Sequence, residues 1–421
     1  MPARSVLILI FATFSFVSAG EVSPLGARGY TVLPYPQQVQ LDEGEVEFGS
    51  GWSIEAGPGV PSDAIALSTL REQMHERFGI SLDGPSHRIH FDMSPGSVAS
   101  GAAQDHNRDA IAIQAYRLEI QPSEIRITAN SGAGLLYAVE TLVQLVKRQN
   151  GALWLPDARI TDWPDLELRN IYWDDAHHLE RMDVLKSAIR EAAFFKANGF
   201  ALKLEGHFEY AHAAAVIEPQ ALTAAQLQEL TDYGRRYYVQ VIPYLDAPAH
   251  LAFLLKHPEY SRFRAFSDSN YEMCTTNPAA YQLLEGMFQD LLAANQGVRY
   301  FVLSTDEPYY VGLAHNAQCE EAAPAKQLGS VGAVLNQFIS RAAGYLHDRG
   351  REVIFWGEYP LKRADIAGLP PWIINGETYG PEFDPVYRAR GIRQMIYTSV
   401  EGEEKMFPKE HSSEFWTMQK V

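Results

Sequence analysis

The sequence reads as an α/β protein. A small N-terminal domain of strands with a helix on one face is followed by a parallel (β/α) barrel of the eightfold TIM type, with about seven strands in sight. Three observations carry that reading. Apolar residues alternate with polar ones near Tyr116 and Ile125 and then switch to helical spacing from Leu135. From Asp165 onward, strand and helix patterns alternate over about 250 residues. No Gly-rich loop follows a strand, which weakens the alternative of a doubly wound open sheet. A chain of 421 residues has room for both domains and for a sizeable core.

The first segment reads as an address rather than as structure. Arg4 precedes an almost wholly apolar run over residues 6–17, and Ser18-Ala19 offers a cut before Gly20. The run is too short for a helix to cross about 30 Å of hydrocarbon, so residues 1–19 are expected to be a signal peptide. That predicts export, to a periplasm or the outside. Residues 20–160 then form the first domain. Tyr116, Leu118 and Ile120 alternate, as do Ile125, Ile127 and Ala129, with Gln121-Pro122-Ser123 between them, which predicts a hairpin. Leu135, Leu136, Val139, Leu142, Val143 and Val146 form one helical stripe. Ile89 and Phe91 mark a further strand.

Residues 161–421 supply the barrel. Strands are expected over 166–173, 200–204, 239–245, 300–303, 353–356, 372–374 and 394–398. Helices are expected around Leu185, over 222–238, 279–294 and 331–346. After the seventh strand, residues 405–421 show no apolar run that reads as an eighth strand and its covering helix. A closed barrel needs one, so seven paired strands with a gap between first and seventh are expected, from a chain cut short of its domain end.

Composition narrows the partners. Apolar residues are 46% and charged residues 21%, which excludes wholesale disorder. A net charge of −17 argues against nucleic acid and against anionic membranes. The two cysteines, Cys274 and Cys319, make neither a disulfide scaffold nor a Cys-rich metal site. Bridged and free thiols both remain open from the residues alone. His75-Glu76 lacks the second His of a zinc motif, and His177-His178 point apart. No metal and no cofactor are expected.

The chemistry of a parallel barrel sits at the carboxyl ends of its strands. Those ends carry Asp174 and Asp175, Glu205 and His207, Asp246 and His250, Asp306 and Glu307, Trp356 and Glu358, then Tyr379 and Tyr397, with Arg169 inside the first strand. Carboxylates walled by aromatics suit sugars: one acid protonates a glycosidic oxygen while ring faces pack on C–H faces. Residues 302–308, V-L-S-T-D-E-P, run an apolar strand into two adjacent acids. Their mutual repulsion favours a raised pKa in at least one, as a general acid requires.

Several strings then match a known family in order and spacing. L-P-Y-P-Q-Q-V at 33–39 and G-L-L-Y-A-V-E-T-L-V-Q-L at 134–145 resemble its N-terminal domain. D-W-P-D-L-E-L-R-N-I-Y-W-D at 162–174, V-I-P-Y-L-D-A-P-A-H at 241–250, T-D-E at 305–307 and F-W-G-E at 355–358 resemble its barrel strands. The chain resembles glycoside hydrolase family 20, the β-N-acetylhexosaminidases, over roughly residues 33–400. The resemblance implies that Glu307 is the general acid/base and that Asp306 holds the substrate's 2-acetamido group, whose oxygen attacks the anomeric carbon to give an oxazolinium ion. It puts Arg169 on sugar hydroxyls, the alternative for Arg169 being an ion pair with Asp174 or Glu205 inside the barrel. Trp356 and Tyr397 would line the acetamido pocket, and Asp246 and His250 would position a proton. Asp174, Glu205 and Tyr379 complete the expected sugar-binding set. The partner implied is a glycan or glycoconjugate ending in N-acetylhexosamine. The loops carrying Cys274 and Cys319 are neighbours in the resembled fold, which implies that they lie close enough to bridge.

The chain also departs from the family pattern. Val302, Ser304 and Thr305 stand where His, Gly and Gly are usual. Tyr244 replaces an acid, His177 replaces an Arg after the first strand, and Tyr379 stands where a Trp is usual. Two other functions therefore remain in view: an α-glucuronidase-like hydrolase, which needs cations around a uronate, and a non-catalytic carbohydrate-binding protein on a degenerate barrel.

Overall fold

The computed structural model describes residues 22–378 and 383–395. The chain divides into two compact units at Asp165–Leu166. Residue 160, where the sequence reading divides it, falls inside a strand of the first unit.

The first unit is built on one sheet. Its strands are β1 (Gln38–Phe48), β2 (Trp52–Ala56), β3 (His87–Met93), β4 (Tyr116–Ile120), β5 (Glu124–Ala129), β6 (Lys147–Gln149) and β7 (Ala152–Asp162). The order is β1-β7-β4-β5-β3-β2, with β6 on β7. The hairpin read from alternation is β4 and β5, antiparallel, with Leu118 opposite Ile127. Leu118, Ile120, Ile125 and Ile127 are fully buried. The helix Gly132–Gln144 starts at a Ser131 side-chain cap and buries Leu135, Leu136, Val139 and Leu142. A second helix, Ile65–Phe78, and the long strand β1 have weak periodicity. In β1 only Val46 and Phe48 are buried, so the strand carries little apolar alternation.

The second unit is a curled parallel sheet of seven strands: β8 (Asn170–Asp174), β9 (Gly199–Lys203), β10 (Gln240–Asp246), β11 (Tyr300–Ser304), β12 (Glu352–Gly357), β13 (Ile374–Thr378) and β14 (Arg393–Gln394). They pair in sequence order, and β8 and β14 are the two edges among the described residues. The expected tail at 405–421 lies outside the described residues. Helices Met182–Phe194, Ala224–Arg236, Pro278–Ala293 and Val331–His347 return the chain between strands.

Side-chain parity decides what faces the barrel interior. Ile242 and Tyr244, Tyr300 and Val302, Ile354 and Trp356 share one buried cluster with Ala201 and Ile374, and Leu168, Tyr172 and Met395 pack against it. The intervening Val241, Phe301, Leu303, Val353 and Phe355 are also buried, on the other face, as in a sheet covered on both sides. Two residues beyond each inward apolar residue stand Asp174, Lys203, Asp246, Ser304 and Glu358. The period of two therefore puts these polar groups on the inward face at the carboxyl ends.

The opposite end of the sheet is held by charge. Glu167, just before β8, pairs with Arg299 and, at 3.0 Å, with Arg393 in β14; Glu352 meets the same two arginines at 2.5 and 3.5 Å. This ring joins the first and last strands, which share no described ladder.

Candidate active site

Asp306 and Glu307 follow β11 directly. The buried Thr305 hydroxyl donates to the Trp356 carbonyl at 2.6 Å and ties this turn to β12. The Glu307 backbone N–H donates to the Glu358 carboxylate. Glu307 itself has φ 46°, and His250 and Glu205 have φ 56° and 44°. Three non-glycine residues in the left-handed region at adjacent strand ends mark backbone strain, which persists only where surrounding structure fixes it.

His250 lies between the two acids. Its Nε2 is 3.3 Å from Asp306 Oδ2 and 3.4 Å from Glu307 Oε2. Burial alone would push Asp306 up. The hydrogen bond and charge of His250, helped by Glu358 and Lys203, outweigh it and hold the carboxyl below its ordinary range. Burial alone would push the imidazole down; the Asp306 hydrogen bond and the Asp246 and Asp306 charges outweigh it, so His250 is raised. The pair therefore favours imidazolium beside carboxylate. The donor atoms of His250, Asp306 and Glu307 lie within 4.8 Å of one another. The same crowding suits proton positioning. Cys274, Cys319 and Glu321 also converge, but the two sulfurs are joined as a disulfide.

Beneath this pair lies a buried ion triad. Lys203 Nζ is 2.8 Å from Asp246 Oδ2 and 3.1 Å from Glu205 Oε1. Burial would lower the ammonium, but Asp246 and Glu205 raise it beyond its usual value. Burial raises Glu205, only partly offset by Lys203. Asp174 pairs with His177, Nδ1 to Oδ2 at 2.6 Å. Burial raises this acid, but the His177 hydrogen bond and the Lys203 charge leave it below its ordinary value. Asp175 turns away: its Oδ1 accepts the Glu180 N–H at 2.8 Å, and burial pushes it up to about 6.

Arg169 and Trp356 are placed at two depths of the barrel unit. Arg169 stands before β8, at the amino end of the barrel. Its Nε donates to the Lys196 carbonyl and its Nη1 to the Leu166 carbonyl, each at 2.8 Å. A strand of five residues, about 16 Å, separates that end from Asp174, and there Arg169 braces the backbone on either side of it. Trp356 sits in the barrel interior, where its Nε1 donates to Tyr244 at 3.2 Å. It packs so closely on Gly376 that a Cβ there would lie 1.8 Å from its ring. Tyr379 and Tyr397 lie outside the described residues.

The structure adds residues that motif reading passes over. Lys203 is one. The Tyr271 hydroxyl lies 3.3 Å from His250 Nε2 and donates to the Glu307 carbonyl at 3.0 Å. The Tyr309 hydroxyl donates to Glu307 Oε1 at 2.5 Å. Glu272, behind Tyr271, accepts the Tyr310 N–H, and burial pushes its carboxyl up to about 8. The loops after β10 and β11 are fastened together by the Cys274–Cys319 disulfide, Cα–Cα 5.7 Å, as the resemblance implies. Glu321 joins them again, accepting from Thr275 at 2.7 Å and from Gly312 at 2.9 Å. Beyond Tyr309, a cavity of about 420 Å³ is lined in part by Glu358, Tyr359 and Leu361.

Comparison with known families now decides the ancestry of this site. Residues 29–163 match glycosyl hydrolase family 20, domain 2, and residues 167–370 match the glycosyl hydrolase family 20 catalytic domain. The chain belongs to glycosyl hydrolase family 20. It is 25% identical over 318 residues to β-hexosaminidase subunit A2 of Dictyostelium discoideum, covering 71% of this chain and 57% of the relative. It is 22% identical to a β-hexosaminidase of Vibrio vulnificus, covering 90% and 51%. The chain thus spans about half the length of the curated relatives it matches. Among solved structures, Flavobacterium johnsoniae chitobiase superposes with a TM-score of 0.73 at 18% identity, covering 93% of this chain and 64% of that one. The family 20 β-N-acetylhexosaminidase of Streptomyces coelicolor gives 0.65 at 18%, covering 87% and 74%. At such identity these two establish the family 20 fold alone.

Proposed function

We propose that this family 20 chain is a retaining glycoside hydrolase that removes terminal β-linked N-acetylhexosamine with the substrate's own acetamido group as nucleophile. The observation that carries the proposal is the Asp306–His250–Glu307 cluster at the carboxyl ends of β10 and β11. An ionised Asp306 accepts the acetamido N–H, turns the amide oxygen toward the anomeric carbon and stabilises the oxazolinium cation that forms. Glu307 gives its proton to the departing glycosidic oxygen as the C1–O bond breaks. It then takes a proton from the water that opens the oxazolinium ring.

The surroundings support a neutral amino-sugar over a uronate. Arg169 braces backbone carbonyls at the far end, and Lys203 is already matched by two carboxylates. Curated relatives named for chitobiase and chitooligosaccharide activity point to the same substrate class. Export through residues 1–19 belongs to the same reading, and N-terminal sequencing of the mature secreted chain tests it.

A panel of aryl glycosides separates the alternatives: turnover of the β-N-acetylglucosaminide or galactosaminide supports the proposal, while turnover of the glucuronide alone, or none, refutes it. Within that panel, Glu307→Gln is expected to abolish cleavage of poor leaving groups and to spare activated aryl ones. Equal losses on both would remove Glu307 from the acid role.

A further inference from the structure

The barrel unit has a second concavity at its amino end, a strand length away from Asp306 and Glu307. It is lined by the last turns of helix Pro278–Ala293, the segment leading into β11 and the turn after helix Val331–His347, and its volume is about 430 Å³. That lies in the range of small-molecule pockets, above about 300 Å³. Gln289, Gln296, Arg349 and Arg351 supply the polar lining, and no carboxylate is among the lining residues.

Arg351 brings a charge to this concavity that nothing in the chain matches. It stands one residue before β12 and is only 5% exposed. Its Nη1 donates to the Asn295 side-chain oxygen at 3.2 Å and to the Val298 carbonyl, and its Nη2 donates to the Asn295 carbonyl. All of these acceptors are neutral. Its Nε–H and one Nη2–H meet no acceptor among the described residues. Burial pushes the guanidinium down to about 10 with no carboxylate to pull it back, and it is still a cation at neutral pH. Arg299 and Arg393, at the same end of the barrel, are each paired with Glu167 and Glu352. Buried charges are ordinarily paired; the dipoles around Arg351 disperse its charge without cancelling it.

Arg349 adds a second cation. Its guanidinium stacks 3.4 Å from the centre of the Tyr345 ring, and its Nη1 donates to the Tyr345 carbonyl at 3.0 Å. Its remaining N–H groups meet no acceptor among the described residues. A guanidinium offers neighbouring N–H groups to two oxygens of one oxyanion. The amides of Gln289 and Gln296 both donate and accept, as hydroxyl partners require.

We propose that this concavity binds an organic oxyanion of hexose size, a sugar phosphate or a sugar acid, whose charged group is held by Arg351 and Arg349. Such a ligand would bridge the segments that lead into β11 and β12 and stabilise the folded barrel by mass action. The site shares no residue with the Asp306–His250–Glu307 cluster, so it stands or falls apart from the hydrolase reading.

The test is calorimetry on the full chain with glucose 6-phosphate and glucuronate, with glucose as the neutral control and inorganic phosphate and acetate as the bare anions. One sugar anion is expected to bind at least about tenfold more tightly than glucose and than its bare counterpart, and the arm that binds identifies the charged group as phosphate or carboxylate. Arg351→Lys keeps the buried charge but removes the planar fork, and is expected to weaken that anion about tenfold. Arg349→Ala truncates an exposed side chain, so the fold is kept, and a loss of about threefold is expected with Tm nearly unchanged. Sugar anions that bind no better than glucose overturn the site. Bare anions that bind as tightly as their sugar derivatives overturn the hexose-sized occupant. Unchanged affinity in either variant overturns the two-arginine grip.

Discussion

Lys203→Met is the most informative single change in the barrel. It keeps the length of an apolar stem and deletes only the ammonium that stands 2.8 Å from Asp246 and 3.1 Å from Glu205. At an effective dielectric of about 20, each contact is worth about 5–6 kcal/mol of gross attraction. Most of that is offset in the native protein by the cost of burying the three charges. Removing one partner leaves that cost uncompensated, and breaking a buried pair costs about 3–5 kcal/mol. For a unit of this size that corresponds to roughly 10 °C in Tm. The deficit has a sign in pH. Without the ammonium, burial holds the Glu205 carboxyl above its unfolded value with nothing to offset it. The variant's stability is then complete below the unfolded carboxyl range and is lost as pH rises through the folded value. Urea denaturation of both chains at pH 7 and pH 5 reads this directly. A deficit under about 1 kcal/mol at pH 7, or one that does not shrink at pH 5, refutes the triad as a buried, mutually compensated unit.

Three further outcomes follow from the same geometry. Arg169→Met is expected to lower Tm by removing two charge-assisted bonds to carbonyls, each worth roughly 1.5–3 kcal/mol, while KM stays as it was; a KM change without a Tm change would return Arg169 to the sugar. Glu358→Leu keeps the bulk but removes the acceptor that holds the Glu307 N–H, so kcat is expected to fall about tenfold or more with KM little altered, and an unchanged kcat counts against Glu358 as the brace of that turn. Glu272, pushed up to about 8 by burial, is protonated in the folded chain at neutral pH, so its contribution to stability is full below the unfolded value near 4.5 and is lost as pH rises through about 8; Glu272→Gln is expected to flatten the fall in stability between pH 6 and 9, and parallel profiles refute it.

The barrel was legible because each buried strand carries its own apolar run, and parity then sorts the polar ends. Parity also bears on Arg169. Leu168, Tyr172 and Asp174 share one face, so Arg169, an odd step away, cannot share it. Reading the strand from residue 166 hides that, since the ladder begins at Asn170. The His177 departure marks the same point, because a polar side chain after the first strand does meet Asp174. Lys203 also left a signal, a lysine between Leu202 and Leu204 in a strand buried at every position. Tyr271 and Tyr309 left none. They sit in turns without periodicity, and only the tertiary fold brings residues 36 positions apart into one hydrogen bond, as between Tyr271 and Glu307.

The charge ring at the amino end of the barrel has a consequence in time rather than in strength. Glu167 and Arg393 are 226 positions apart, and their pairing requires every intervening strand to have found its register. Loop closure over such a span is slow relative to the neighbour-to-neighbour pairing of the sheet. Arg393→Met is therefore expected to accelerate unfolding while leaving the refolding rate nearly unchanged in stopped-flow urea jumps, and a slowed refolding limb refutes late closure of the ring. In that sense it works as a latch: it sets how long a folded barrel lasts, and has little say in whether one is reached.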